Sequence, residues 1–141
     1  MKMKTRIINT ALNEIGVSEI RGSKHEARIL EYFDEIGHDW VKTDETAWCA
    51  AFANFILKEC GYEGSGKLNA RSFLEVGEET KIPDMGDIVV FWRESKESWK
   101  GHVGFYIRED EEYIYCLGGN QSNKVGIDRY PKYRLLEYRT I

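Results

Sequence analysis

The chain has 141 residues, of which 42% are hydrophobic and 31% are charged, a composition typical of one globular domain with a proper core. Its formal net charge of -4 gives no general reason to expect nucleic acid as a partner. No apolar run approaches the roughly 20 residues of a membrane span. We therefore expect residues 1–141 to form a single domain that does not insert into a membrane.

The first half of the chain predicts four helices. Apolar residues recur there at helical spacing, and a glycine follows each of the four runs. Ser23 and Glu26 form a capping-box pattern that opens the second helix, and Thr46 and Asn69 are candidate N-caps of the third and fourth. The predicted ranges are about 7–15, 23–36, 46–60 and 69–76.

The second half changes to the period of β-strands, with buried or alternating apolar residues separated by turn residues. The predicted strands lie at about 88–92, 102–108, 113–117, 124–129 and 133–139. Helices followed by strands predict an α+β domain, with N-terminal helices packed on a C-terminal antiparallel sheet of about five strands.

Cys49 falls in the first turn of the third predicted helix. If Thr46 caps that helix, Cys49 is its third residue, where free backbone N–H groups and the positive end of the macrodipole stabilise an anion. Such a position lowers the pKa of a thiol and makes it a usable nucleophile. Cys60 and Cys116 are predicted to be small buried apolar residues.

Of the three histidines, His102 is the best placed to serve as a base for this thiol, although a structural role for a lone strand histidine stays open. With a three-residue turn at 110–112, the hairpin register places His102 opposite Asn120. An Asn amide that accepts Nδ1–H would leave the other ring nitrogen for the thiol. A one-residue slip would put Gly119 there instead, and Gln121 offers a second amide in the same place.

Three further residues are candidates for contacts with a substrate or an oxyanion: Trp48, Glu45 and Gln121. Structural roles stay open for these residues, because Trp48 could pack in the core and Glu45 could be an acid of the helix cap region. Trp92 and Trp99 likewise fit either the core or a cleft for an extended substrate.

The number and spacing of the cysteines and histidines indicate which cofactors and which redox compartment to expect. Three is an odd number, which argues against a disulfide framework and favours synthesis in a reducing cytoplasm. No CxxC pair occurs and the histidines are scattered, so we expect no metal and no cofactor. The basic start at residues 1–4 lacks a following apolar stretch, and no signal peptide is predicted.

Taken together, four sequence blocks resemble the NlpC/P60 and CHAP superfamily of cell-wall cysteine hydrolases. The resemblance runs from about Ala11 to the C-terminus and is greatest for the small single-domain branch found in phage lysins and bacterial genomes. The blocks are Asp44 to Phe52 around the cysteine, Pro83 to Asp87 before a Val-rich strand, Gly101 to Phe105 around the histidine, and Gly118 to Asn123.

The resemblance implies a papain-like core in which Cys49 is the nucleophile, His102 the general base and then acid, and Asn120 the orienting residue. Relatives often carry Glu, Asp or a second His at the third position, and Asn departs from that pattern. The implied reaction is acyl transfer through a thioester, with the Cys49 N–H as an oxyanion donor.

The resemblance predicts a monomeric peptidoglycan hydrolase that acts on the peptide stem, either an N-acetylmuramoyl-L-alanine amidase or an endopeptidase. Without a signal peptide, it would reach the wall through a phage holin pore or a dedicated secretion machine. Two alternatives stay open: an enzyme of the same fold that acts on another amide, such as a deamidase or acyltransferase, and a non-catalytic wall-binding module.

Overall fold

The computed structural model describes residues 2–18, 24–35, 37, 48–121 and 123–141. Three α-helices precede the strands: α1 (Lys2–Leu12), α2 (Lys24–Glu35) and α3 (Cys49–Glu59). Two short 3₁₀ helices span Ala70–Glu75 and Lys132–Arg134. The strands are β1 (Glu78–Thr80), β2 (Ile88–Trp92), β3 (Gly101–Glu109), β4 (Tyr113–Gln121), β5 (Lys124–Pro131) and β6 (Leu135–Thr140).

The strands form one antiparallel sheet in the order β1-β6-β2-β3-β4-β5. The predicted α+β architecture, with helices packed on a C-terminal antiparallel sheet, is confirmed. The sheet has six strands rather than five, because β1 pairs with β6 at one edge. β1 has only three residues and a largely exposed burial pattern, so it carries no apolar alternation to detect.

Helix α3 is the centre of the core. Its residues 49–57 are all buried, because it packs against α1 and α2 on one side and against β3 and β4 on the other. The approach to β4 is so close that a Cβ atom on Gly119 would lie 2.6 Å from the Cβ atom of Phe52. Glycine at this position lets the first turn of α3 lie directly on the sheet.

A polar cluster fixes α2 to the segment that follows α1. Arg28 donates hydrogen bonds to both carboxylate oxygens of Glu14 at 2.6 and 2.9 Å, and the Tyr32 hydroxyl donates to the same group at 2.7 Å. The fully buried Tyr32 ring stacks on Trp48 with ring centroids 6.1 Å apart. The residue that precedes Cys49 is therefore held in the core from two sides.

Three of the predicted helices need correction. Helix α1 spans Lys2–Leu12 rather than about 7–15, α3 begins at Cys49 rather than Thr46, and the fourth helix is a 3₁₀ segment. Asn69 does precede that segment, but its side chain makes no capping hydrogen bond. The predicted caps Ser23 and Thr46 lie outside the described residues.

The β3–β4 hairpin has the predicted register in its inner half, where Phe105 lies opposite Leu117. Near the turn, Glu109 lies opposite Ile114 rather than Tyr113, and a register shift within β3 absorbs the difference of one residue. The strand pairing is thus the expected one at Phe105 and Tyr106, on the side of the hairpin that leads to His102.

None of the helices in the part of the chain that the structure describes is long and apolar enough to cross a membrane.

Candidate active site

Cys49 is the first residue of α3. Trp48 is the N-cap, and its carbonyl accepts the first bond of the helix, from the Phe52 N–H at 2.9 Å. The N–H groups of residues 49–51 precede that bond and lack partners within the helix. The thiol therefore lies at the positive end of the helix, two residues closer to its start than the sequence predicts.

The thiol of Cys49 is almost completely enclosed, with 6% of the residue exposed. Burial raises the pKa of this thiol and outweighs the opposite effects of the Val103, Ala50 and Cys49 backbone N–H groups and the Arg93 charge. The predicted lowering of the pKa is therefore wrong for this structure. The thiol is protonated at rest and needs a base to become a nucleophile.

β3 passes close to this thiol, because the Val103 N–H reaches the Cys49 sulfur. Among the hydrogen bonds of the described residues, the His102 ring pairs with Gln121 and Tyr130 and not with Cys49. The ring is 4% exposed and stacks on Tyr130 with centroids 4.9 Å apart. Burial lowers the pKa of His102 to about 4, against the opposing effect of its hydrogen bond to Gln121. The imidazole is therefore neutral at pH 7 and can accept a proton.

Gln121 fixes the tautomer of this ring. Its Nε2 donates to the carbonyls of Gly126 at 2.7 Å and Cys116 at 3.1 Å, so its Oε1 must be the atom that faces His102. Nε2 of His102 lies 2.9 Å from that oxygen. Because an amide oxygen only accepts, Nε2 carries the hydrogen and Nδ1 keeps the lone pair. The sequence predicted the opposite assignment of the two ring nitrogens.

Two other groups surround the same contact. The Tyr130 hydroxyl lies 3.2 Å from the His102 Nε2, and the Cys116 sulfur lies 3.2 Å from the Gln121 Oε1. A Cβ atom on Gly118 would come within 2.8 Å of that oxygen. The glycine before the site thus leaves space for the amide.

Asn120 does not occupy the predicted place beside the ring. Its backbone has a φ of 57°, a left-handed conformation that Asn tolerates better than most residues. The register of β4 with β5 shifts between Gly118 and Gln121. Among the hydrogen bonds of the described residues, the ring pairs with Gln121 rather than Asn120. A catalytic role for Asn120 therefore stays a prediction, and none of these hydrogen bonds supports it.

The remaining candidates have mixed outcomes. Trp48 is fully buried, so its side chain belongs to the core and a contact with substrate is not supported. Cys60 and Cys116 are buried free thiols, as predicted. Glu45 lies outside the described residues. Within the described part of the chain, no three His, Cys, Asp or Glu side chains cluster to hold a metal ion.

A cavity of about 500 Å³ opens directly onto Cys49. Its walls come from three separate segments: the 3₁₀ helix at 70–75 with the loop before it, the β2–β3 loop, and Arg134 near β6. Trp99, at 72% exposure, lies on its wall. The other lining residues are Leu68, Asn69, Ala70, Arg93, Glu94, Lys100 and Gly101.

The β2–β3 loop is held in place by one arginine. Arg71 donates to the carbonyls of Ser95 at 2.8 Å, Lys96 at 2.7 Å and Lys100 at 2.9 Å. One guanidinium thus ties three points of the loop to the 3₁₀ helix across the cavity. Neither Arg71 nor the lining residue Arg93 was singled out from the sequence, because neither belongs to a motif with recognisable spacing.

A helix-borne thiol, a neutral strand histidine and an amide that orients it are the elements of a Cys–His hydrolase site. The CHAP domain family model matches residues 41–120, more than half of the chain. The protein belongs to the CHAP family, a family of cell-wall hydrolases. The match covers all three of Cys49, His102 and Asn120 but ends one residue before Gln121.

The fold agrees with a solved structure described as similar to a lipoprotein of the NLP/P60 family, from Staphylococcus aureus subsp. aureus Mu50. The two share 14% sequence identity with a TM-score of 0.60. The alignment covers 99% of this chain and 42% of the staphylococcal one, so this chain spans less than half of that protein's length. No curated protein matches the sequence.

Proposed function

We propose that this protein hydrolyses an amide bond in the peptide part of peptidoglycan through a thioester on Cys49. The observation that carries the proposal is a buried thiol at a helix N-terminus that is reached by the backbone N–H of Val103, the residue after His102. Gln121 holds the Nε2–H of His102 and so fixes its tautomer. Membership of the CHAP family supports a cell-wall substrate.

In the first half of the reaction, Nδ1 of His102 takes the thiol proton as the Cys49 sulfur attacks the carbonyl carbon of the substrate. A ring that is neutral at pH 7 is available for this step without prior ionisation. The oxyanion that forms lies at the N-terminus of α3, where the Cys49 N–H precedes the first helical hydrogen bond and can donate to it.

In the second half, the C–N bond breaks and the proton on Nδ1 passes to the leaving amine. Water then attacks the thioester carbon while Nδ1 accepts its proton. When the C–S bond breaks, that proton returns to the sulfur and the free acid leaves. Gln121 keeps its hydrogen bond to Nε2–H throughout, and this bond strengthens when the ring is positively charged.

The choice between an N-acetylmuramoyl-L-alanine amidase and an endopeptidase, the monomeric state, and delivery to the wall from a reducing cytoplasm belong to the same proposal. The delivery route concerns how the protein reaches the wall and not the chemistry of the site. Both classes of bond are amides with peptide on at least one side, so acyl transfer at Cys49 would serve either.

A zymogram on purified peptidoglycan tests the proposal. We expect clearing by the wild type and loss of clearing, by at least about a hundredfold in rate, for Cys49→Ala, because the nucleophile is absent. Mass spectrometry of the soluble fragments then identifies the bond that is cut.

Cys60→Ala is the matched control, because Cys60 is a buried thiol just past the other end of the same helix. It should keep full clearing. Clearing by Cys49→Ala would contradict the assigned nucleophile. A folded wild type that clears no peptidoglycan would favour a different amide substrate or a binding module.

A further inference from the structure

The cavity above Cys49 carries an excess of positive charge. Three of its lining residues are cations, Arg93, Lys100 and Arg134, and the one acid among them, Glu94, forms an ion pair with Lys100. The two arginines are therefore left without a carboxylate partner in the wall of the cavity. Charge of one sign in a concave site attracts a ligand of the opposite sign.

Arg93 is the more available of the two. Its side chain is exposed, and it forms no ion pair within the part of the chain that the structure describes. Its backbone N–H bonds to the Lys100 carbonyl at 3.2 Å, so the strand end is fixed while the guanidinium is free. Its charge acts on both Cys49 and His102, which places it near the reacting atoms.

The side chain of Arg134 also makes contacts that hold the fold together. Its Nε donates to the Trp92 carbonyl at 3.1 Å, and its guanidinium lies over the Trp92 ring, 5.7 Å from the centroid. The guanidinium therefore faces the cavity as an oriented group. Arg93 is the residue whose removal would disturb the fold least, and it is the one to test.

We propose that this cavity selects peptides with a free carboxylate beside the scissile amide, and that Arg93 binds this carboxylate. The identity of the substrate as a peptidoglycan peptide rests on the proposed function, whereas the preference for an anion rests on the wall of the cavity. A guanidinium and a carboxylate can form two parallel hydrogen bonds, which would orient the peptide relative to the sulfur of Cys49.

The chemistry of the wall peptide allows a close comparison. The same peptide can be made with a carboxylate or with a carboxamide at one position, and the two differ by one charge and almost nothing in size. A carboxamide keeps one acceptor oxygen but loses the charge, so a site built around arginine should bind it more weakly.

The experiment measures binding separately from hydrolysis. Two synthetic stem-peptide fragments, identical except for carboxylate or carboxamide next to the scissile bond, are titrated calorimetrically against Cys49→Ala protein, which cannot turn them over. We expect the carboxylate form to bind about tenfold more tightly or better, the effect of one charge-assisted hydrogen-bonded contact.

Adding Arg93→Gln should reduce this ratio to near one, and Arg93→Lys should keep part of it because the charge remains. Arg129→Gln is the matched control, since it removes the same charge from an exposed arginine that stacks on Tyr113 away from the cavity. It should leave the ratio unchanged. Circular dichroism of each variant confirms that the fold is retained.

Equal binding of the two peptides, or an unchanged ratio in Arg93→Gln, would overturn the anion proposal even if the wild type cleaves both. Conversely, selective binding without any cleavage by the wild type would uphold it and contradict the proposed hydrolysis. The two proposals therefore fail in different measurements.

Discussion

His102 combines deep burial with partners at Nε2, where Gln121 and Tyr130 lie within hydrogen-bond distance. In the resting site both it and Cys49 are uncharged, because burial raises the pKa of the thiol and lowers that of the imidazole. In the proposed reaction, the proton passes from the thiol to the ring while the substrate is attacked, and no thiolate is stored beforehand. A neutral pair also avoids the cost of keeping two isolated charges in a buried site.

The buried ring makes a prediction about stability. Its pKa is about 4 in the folded protein and about 6.5 in the unfolded chain, so the unfolded state binds more protons between these values. Stability is full above the unfolded pKa and falls as the pH drops toward 4. We expect the free energy of unfolding in urea to fall by about 2 kcal/mol between pH 7 and pH 5 from this group.

The variant His102→Gln removes this titration and is the control, because the other acidic groups of the protein remain. Its free energy of unfolding should change less with pH than that of the wild type, by the same amount. Parallel pH dependences in the two proteins would show that the ring is not held neutral by burial.

At the scale of elements, β4 is the strand that completes the site. The left-handed residue Asn120 and the register shift before Gln121 bring the Gln121 amide to the ring. Two glycines make this arrangement possible. Gly118 leaves room for the Gln121 amide, and Gly119 leaves room for the start of α3. The irregular end of β4 is therefore part of the site.

This geometry predicts different effects for two neighbouring substitutions. Gln121→Met keeps the size of the side chain but removes the acceptor for Nε2–H, and we expect kcat to fall by about 10- to 100-fold. Asn120→Gly keeps the left-handed backbone conformation accessible and should change kcat less than about threefold, because no hydrogen bond among the described residues links Asn120 to the ring. Steady-state kinetics on a soluble stem peptide measures both.

The pH profile separates positioning from simple loss of structure. The hydrogen bond to Gln121 raises the pKa of His102 against the effect of burial, so its removal should move the acid limb of kcat/KM to lower pH. A larger loss of kcat in Asn120→Gly than in Gln121→Met would restore the sequence-based assignment.

The same strand shows the limit of sequence reasoning. Alternating residues in β3 and glycine-punctuated helices predict the fold, and the cysteine at a helix start with the histidine at a strand start predicts two site residues. The third needs the register shift in β4, which changes which of two adjacent amides meets the ring. Asn and Gln side by side in sequence give no local signal that decides between them.

At the scale of the whole molecule, the sheet and helices position the nucleophile and base, and the connections between elements form the walls of the cavity. Arg71 ties the β2–β3 loop to the 3₁₀ helix by three hydrogen bonds, and Arg134 contributes from far along the chain. The charge of the cavity could not be predicted from the sequence, because it comes from residues that are distant in sequence and belong to no repeating pattern.

The division between the core elements and the connecting loops also bears on what this chain shares with its relatives. The fold extends to a staphylococcal protein at 14% identity, a distance at which loops rarely keep their side chains. In the proposed function, Cys49 and His102 carry out the acyl transfer, and the loop arginines set which peptide is accepted.

The central claim is that Cys49 carries the acyl group, and trapping that intermediate tests it most directly. The protein is mixed with a stem peptide, quenched in acid within milliseconds to seconds, and digested for mass spectrometry. The account predicts a peptide containing Cys49 that is heavier by the mass of the acyl fragment, absent in Cys49→Ala and present in Cys60→Ala. An acyl group on any other residue, or substrate turnover by Cys49→Ala, would contradict it.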